Sequence, residues 1–151
     1  MNKIRKEIIE QFPDDKSLKK KLLPGKDKQL VGYAEMFGDD CIPLYKGINY
    51  ITCNSAEEAI SKINFVNPKA RTADGFDKCL LGHIKLDDGQ IILLYDKDAM
   101  ITQLTKEFSE DTTGLFDGED DCYTSAIEHY EYNIIGSYMD GIPAFAILYS
   151  R

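Results

Sequence analysis

Apolar and polar positions recur along this chain with two periods, and the changes of period mark its elements. Ile4, Ile8 and Ile9 fall at helical spacing among charged neighbours over residues 2–11, and the pattern ends before Pro13. Asp14 or Asp15 then stands where it caps a short second helix that carries Leu18 and Leu22 and stops at Pro24-Gly25. Beyond that point the period shortens to two. Strands are predicted around 29–36 and 41–45, with Gly38-Asp39-Asp40 as the turn, and a third at 50–53. Asn54 or Ser55 is a good N-cap for a helix over 56–63, because Glu57 and Glu58 place negative charge near its start.

A polar stretch at 67–75, with Pro68, Arg71 and Gly75, reads as an exposed loop. The apolar runs 79–86 and 90–95 flank Asp87-Asp88-Gly89, a strong hairpin signal. The second run is apolar throughout, which predicts a central strand buried on both faces. Asp96 or Asp98 caps the next helix, whose stripe is Met100, Ile101, Leu104 and Phe108. Residues 110–121 read as an acidic loop. A long helix follows over 123–135, with Tyr123, Ala126, Ile127, Tyr130, Ile134 and Tyr138 on one stripe and Gly136 near its end. Residues 143–149 form a terminal strand, expected beside the buried one. The fold predicted is α+β, a small mostly antiparallel sheet with helices packed on one side. It is one domain over 1–151: a helical segment at 1–24, a hairpin-and-helix unit at 25–66, and a second such unit at 75–151 that adds the long helix and terminal strand.

The two units echo each other at a constant offset of fifty residues. Gly25, Leu30, Gly32, Ile42, Leu44, Tyr45 and Ile51 fall on Gly75, Leu80, Gly82, Ile92, Leu94, Tyr95 and Ile101 without a gap. A duplicated hairpin gives this pattern, and so does a chance match between short windows; two copies are too few for a solenoid.

Composition narrows the class of partner. The net charge of −8 disfavours direct nucleic-acid binding, which needs a basic face to replace phosphate counterions. The cluster Lys16, Lys19, Lys20, Lys21, Lys26 and Lys28 reads as a solvated helix end. An acidic chain is instead suited to a protein partner with a basic surface. No apolar run approaches the length of a membrane span, and the charged, periodic start reads as a helix and not a signal peptide, so no membrane association and a cytoplasmic location are expected. Cys41, Cys53, Cys79 and Cys122 are scattered without a Cys-x-x-Cys pair, and only His83 and His129 are available beside them, so reduced structural thiols and no metal or cofactor are expected.

The candidates for chemistry are sparse. Asp77, Asp96, Glu131 and Asn133 either brace strand ends and helix ends through local hydrogen bonds or gather at one end of the sheet as acid, base or ligand groups. Asp117, Glu119, Asp120 and Asp121 form an acidic run, too crowded and without the distant glutamate that a calcium loop requires. His129 is a general base only if it faces a cleft. No nucleophile elbow, phosphate loop or dinucleotide fingerprint is present, so no catalytic residue is assigned.

Four segments of the second half together carry a resemblance: Phe76-Asp77-Lys78-Cys79-Leu80-Leu81-Gly82; Tyr95-Asp96-Lys97; Ala126-Ile127-Glu128-His129-Tyr130-Glu131-Tyr132-Asn133-Ile134-Ile135-Gly136-Ser137; and Gly141-Ile142-Pro143-Ala144-Phe145. They are similar to a family of small uncharacterised proteins of bacteriophages, prophages and bacteria. The resemblance covers residues 76–149, and it departs from the family pattern at Ser125 and in a longer acidic loop. It implies a compact α+β module of phage or mobile-element type and brings no activity or site residues with it. The expected function is a non-enzymatic protein-binding module, in its sharpest form an inhibitor of a bacterial defence system. Its acidic segments Asp39-Asp40, Asp87-Asp88 and 117–121 would occupy a basic surface of the target. The alternatives are a binder of a nucleotide-like molecule in a tyrosine-rich interior, an enzyme with an acid/base site near Asp77, Asp96 and His129, and a homo-oligomer joined through an exposed strand edge.

Overall fold

The computed structural model of the protein describes residues 3–36, 41–110, 119–135 and 142–149. Helices α1 (Lys3–Gln11) and α2 (Leu18–Lys21) precede strands β1 (Leu30–Glu35), β2 (Cys41–Tyr45) and β3 (Tyr50–Thr52), and helix α3 (Ala56–Val66) follows. A 3-10 turn (Asp77–Cys79) leads into β4 (Leu80–Lys85), β5 (Ile91–Asp96) and α4 (Lys97–Ser109). Helix α5 (Glu119–His129) passes into a π-helical turn (Tyr130–Ile135), and β6 (Ala144–Leu148) closes the chain. The predicted turn at Gly38-Asp39-Asp40 lies outside the described residues, as do Gly136 and Tyr138.

The strands form one sheet in the order β2-β1-β6-β5-β4-β3, antiparallel throughout except for the parallel pair β5–β6. The terminal strand thus sits beside β5, as expected, and its other side pairs with β1. Strand β5 is central and buried from Ile92 to Asp96, the outcome predicted from its unbroken apolar run.

Local chemistry fixes most boundaries. Ser55 caps α3, its hydroxyl accepting from the Glu58 amide at 3.2 Å, and Asp96 caps α4, one carboxylate oxygen accepting from the amides of Asp98 and Ala99 at 3.1 and 3.4 Å. Two expectations are corrected. Asp15 does not cap α2; its carboxylate accepts from Ser17 N and Ser17 Oγ, an Asx-type turn one step ahead of the helix, and Ser17 is the N-cap residue. Residues 119–121 are not loop but the first turn of α5, where carboxylates are stabilised by the helix dipole.

The two faces of the sheet are buried differently. One carries the helices: Leu93, Tyr95 and Phe145 pack with α3, α4 and the Ala126–Tyr130 stripe, while Tyr33 and Tyr45 pack with Ile8, Leu18 and Leu22 of the N-terminal segment. The opposite face joins Ala34, Leu44, Tyr50, Ile84, Ile92, Leu94 and Ala146 in one buried cluster to which, among the described residues, all six strands contribute and no helix does. Such a face is buried only if the sheet curls on itself. The bridge between Lys46 and Tyr50 brings the end of β2 to the start of β3, so the two outer strands meet at one end of the curl.

The offset-fifty echo has a geometrical counterpart. Strands β1 and β2 pair as Leu30–Tyr45, Gly32–Leu44, Tyr33–Pro43, Ala34–Ile42 and Glu35–Cys41, and adding fifty to every number gives the register of β4 and β5, with the irregularity at the same place. The Tyr45 hydroxyl accepts from Leu23 N at 2.8 Å, and the Tyr95 hydroxyl accepts from Ala73 N at 2.9 Å. This is an identity of geometry, which two segments reach with or without common descent.

Candidate functional site

The residues singled out in the sequence do not converge on one centre. Asp96 is spent as the cap of α4, 4 % exposed. Asp77 is exposed on the 3-10 turn that packs beside the same helix. His129 lies at the far end of α4, its ring edge-on to Phe108 with centroids 6.0 Å apart. Twelve residues of helix separate Asp96 from Phe108, about 18 Å at 1.5 Å per residue. An acid/base centre built from Asp77, Asp96 and His129 is therefore not assembled. Asp117 and the side chains of Glu119 and Asp120 lie outside what is described. Among the described residues no group of His, Cys, Asp and Glu is arranged to hold a metal ion, and no helix is long and apolar enough to cross a membrane.

Asp121, Glu131 and Asn133 do share a neighbourhood. Cys122, Ala126 and Tyr130 recur every fourth residue and are buried, which fixes the inward side of α5. The outward side exposes Asp121, Tyr123, Thr124 and Glu128, and the π-helical turn continues the surface with Glu131, Tyr132 and Asn133. The Asn133 amide nitrogen lies 3.4 Å from His129 Nδ1, one turn back. Tyr132 is 77 % exposed and Tyr123 53 %. Large aromatic rings left in water on the same element as three exposed carboxylates make a surface suited to a partner, since tyrosine is enriched and energetically prominent at interfaces. The wider turn of a π helix is itself a frequent mark of functional segments.

Sequence reasoning missed the group that holds this surface in place. The Tyr130 hydroxyl donates to Glu35 Oε1 at 2.6 Å, across ninety-five residues of chain. Lys97 Nζ lies 3.0 Å from the same carboxylate oxygen and 5.0 Å from the centre of the Tyr130 ring. Burial, and then the Glu35 charge, push the Tyr130 hydroxyl far above its ordinary pKa, so it stays a donor. Burial likewise raises Tyr33 on the same strand as Glu35, helped by Tyr149 and Glu35. The signal for Glu35 was its phase: it stands two residues after Tyr33, a carboxylate on the face of β1 that packs against helices. The fully buried tyrosines have hydroxyl partners within the chain, Tyr45 and Tyr95 with backbone amides and Tyr130 with Glu35.

Of the two edges of the sheet, β2 and β3, the outer groups of β2 are bonded within the chain. Pro43 has no amide to offer, its carbonyl accepts from Asn49 Nδ2 at 2.8 Å, Tyr45 N donates to Asn49 Oδ1 at 2.7 Å, and Lys21 Nζ donates to the Cys41 carbonyl at 3.1 Å. The outer side of β2 is blunted in the manner of edges that resist pairing with another chain. Comparison of the chain with known protein families, with curated proteins and with solved structures gives no match.

Proposed function

We propose that this protein is a non-enzymatic binding module, of phage or mobile-element type and acting in the cytoplasm, that occupies a basic surface of a host protein, and that an inhibitor of a bacterial defence system is its sharpest form. The observation that carries the reading is the outward surface of α5 and its π-helical turn, which exposes the carboxylates of Asp121, Glu128 and Glu131 along with the rings of Tyr123 and Tyr132. Carboxylates at the rim steer a basic partner and set its orientation, and the two rings supply apolar area at low entropic cost. The net charge of −8 acts in the same direction at longer range, and salt weakens both. Asp87 and Asp88, exposed at the tip of the β4–β5 turn, form a separate acidic point and are not needed for this surface.

The test compares the native protein with a variant carrying Asp121→Lys, Glu128→Lys and Glu131→Lys, each used to capture partners from bacterial lysate at low and high salt. A stoichiometric protein held by the native form, released by salt, and bound at least about tenfold more weakly by the variant supports the reading. A partner retained by the charge-reversed face in high salt sinks it. Tyr132→Ala separates the two contributions: it weakens binding without changing its dependence on salt.

A further inference from the structure

A cavity of about 440 Å³ opens between β2 and the end of the β4–β5 hairpin. The volume falls in the range of small-molecule sites, and the mouth of a curled sheet is one of the places where they form. Met36, Ile42 and Leu86 line it, and all three also pack onto the inner apolar face of the sheet, so its floor is continuous with that core. Leu23 adds an apolar wall from the N-terminal segment. None of these four is fully buried, which leaves apolar surface facing the open volume. Two cations stand at the rim, Lys21 and Lys85.

What belongs in this volume follows from its walls. A peptide strand is excluded because the outer groups of β2 are already bonded to Asn49 and Lys21. The occupant must instead offer apolar surface and a head group. Lys21 is half-buried and is held in place by its bond to the Cys41 carbonyl; its charge also acts on the Asp15 carboxylate, with no hydrogen bond between the two, so N–H groups remain for another acceptor. Asp87 and Asp88 also reach the lip, but both are exposed, where water and salt screen them, and Asp88 already accepts from Gln90 N at 3.0 Å. The less solvated charge, that of Lys21, governs the choice of head group. We infer that this cavity is a binding site for a small molecule with an apolar body and one anionic group, a medium-chain carboxylate being the simplest member of the class. The site is independent of the α5 surface.

The probe is decanoate, followed by NMR at the methyl groups of Met36, Ile42 and Leu86, with decanol as its uncharged counterpart. Saturable shifts of these methyls are expected with decanoate, and decanol binds about tenfold or more weakly because it lacks the charge-assisted hydrogen bond. Lys21→Met keeps the apolar stem and removes the charge; it loses the same factor for decanoate while its thermal unfolding midpoint stays near that of the native protein. Leu86→Trp fills the volume and abolishes binding. The proposal is overturned if decanoate up to about 1 mM leaves these methyls unmoved, a weakness outside the range of specific ligands. Equal affinity for decanol, or for the Lys21→Met variant, overturns the anionic class. Shifts confined to residues away from the cavity overturn its location.

Discussion

Single residues in this protein are set by what surrounds them more than by their type. Four cysteines are present, and burial pushes the Cys41 thiol up to about 12, so it is an inert apolar group at neutral pH. His83 shows the opposite sign. It lies on β4 between Ile51 of β3 and Leu93 of β5, and burial, then the nearby charge of Lys62, lower its pKa from 6.5. The folded state therefore binds a proton here less readily than the unfolded chain. The stability this residue contributes is complete above pH 6.5 and is lost as the pH falls through that value towards the depressed one. Thermal unfolding midpoints measured from about pH 8 down to about pH 5 are expected to fall on the acid side, and His83→Gln is expected to flatten that part of the curve. The same slope in both proteins would assign the effect to carboxylates instead.

At the scale of elements, each hairpin is built to let a third strand approach closely. A methyl group on Gly32 would run into the carbonyl oxygen of Ile147 on β6, and one on Gly82 into that of Ile51 on β3. Gly32→Ala and Gly82→Ala are each expected to destabilise the protein by about 1–3 kcal/mol, because a backbone neighbour cannot rotate away as a side chain does. Equilibrium denaturation checks the value, and a negligible change at either position would mean that the strands separate freely there. The β4–β5 hairpin was plain in the sequence because Asp87-Asp88-Gly89 joins two apolar runs, and Gly89 takes the positive φ of 90° that the turn needs. The caps Ser55 and Asp96 were legible for a similar reason, each being a short side chain that bonds the next turn's backbone. The start of α5 was not, since an acidic run reads equally as solvated loop or as first helical turn, and only packing of Cys122 and Ala126 decides. Nor was the π-helical turn, whose apolar spacing at Tyr130 and Ile134 fits an ordinary helix. The Glu35–Tyr130–Lys97 group stayed hidden because its members come from three distant segments, and local periodicity carries no record of which segments meet.

The whole molecule is held together by an exchange that the sequence pattern did not suggest. The first hairpin, β1–β2, does not pair with β3, the strand that follows it; β3 pairs with β4 of the second hairpin. In return β6, from the second half, pairs with β1 of the first. Gly32 meets Leu148 in one pairing and Gly82 meets Thr52 in the other, so the two donated strands occupy equivalent places fifty residues apart in their acceptors. Each half thus lacks a strand of its own and completes the other, and β5–β6 joins the two three-stranded groups by the one parallel pairing. Hydrogen bonds along β1 and β4 would be left open in either half alone, together with the apolar inner face that all six strands bury jointly. Cutting the exposed segment between Pro68 and Lys69 leaves both donated strands with their original halves and spares the Ala73 amide that Tyr95 holds. Residues 1–68 and 69–151, produced separately, are each expected to lack dispersed NMR spectra and a cooperative unfolding transition. Mixed in equal amounts, they are expected to regain both as a one-to-one complex, less stable than the intact chain because association now carries a translational entropy cost. If either half folds alone as a monomer, strand exchange is not what couples the two hairpins, and the helices packed on the other face must hold each unit instead.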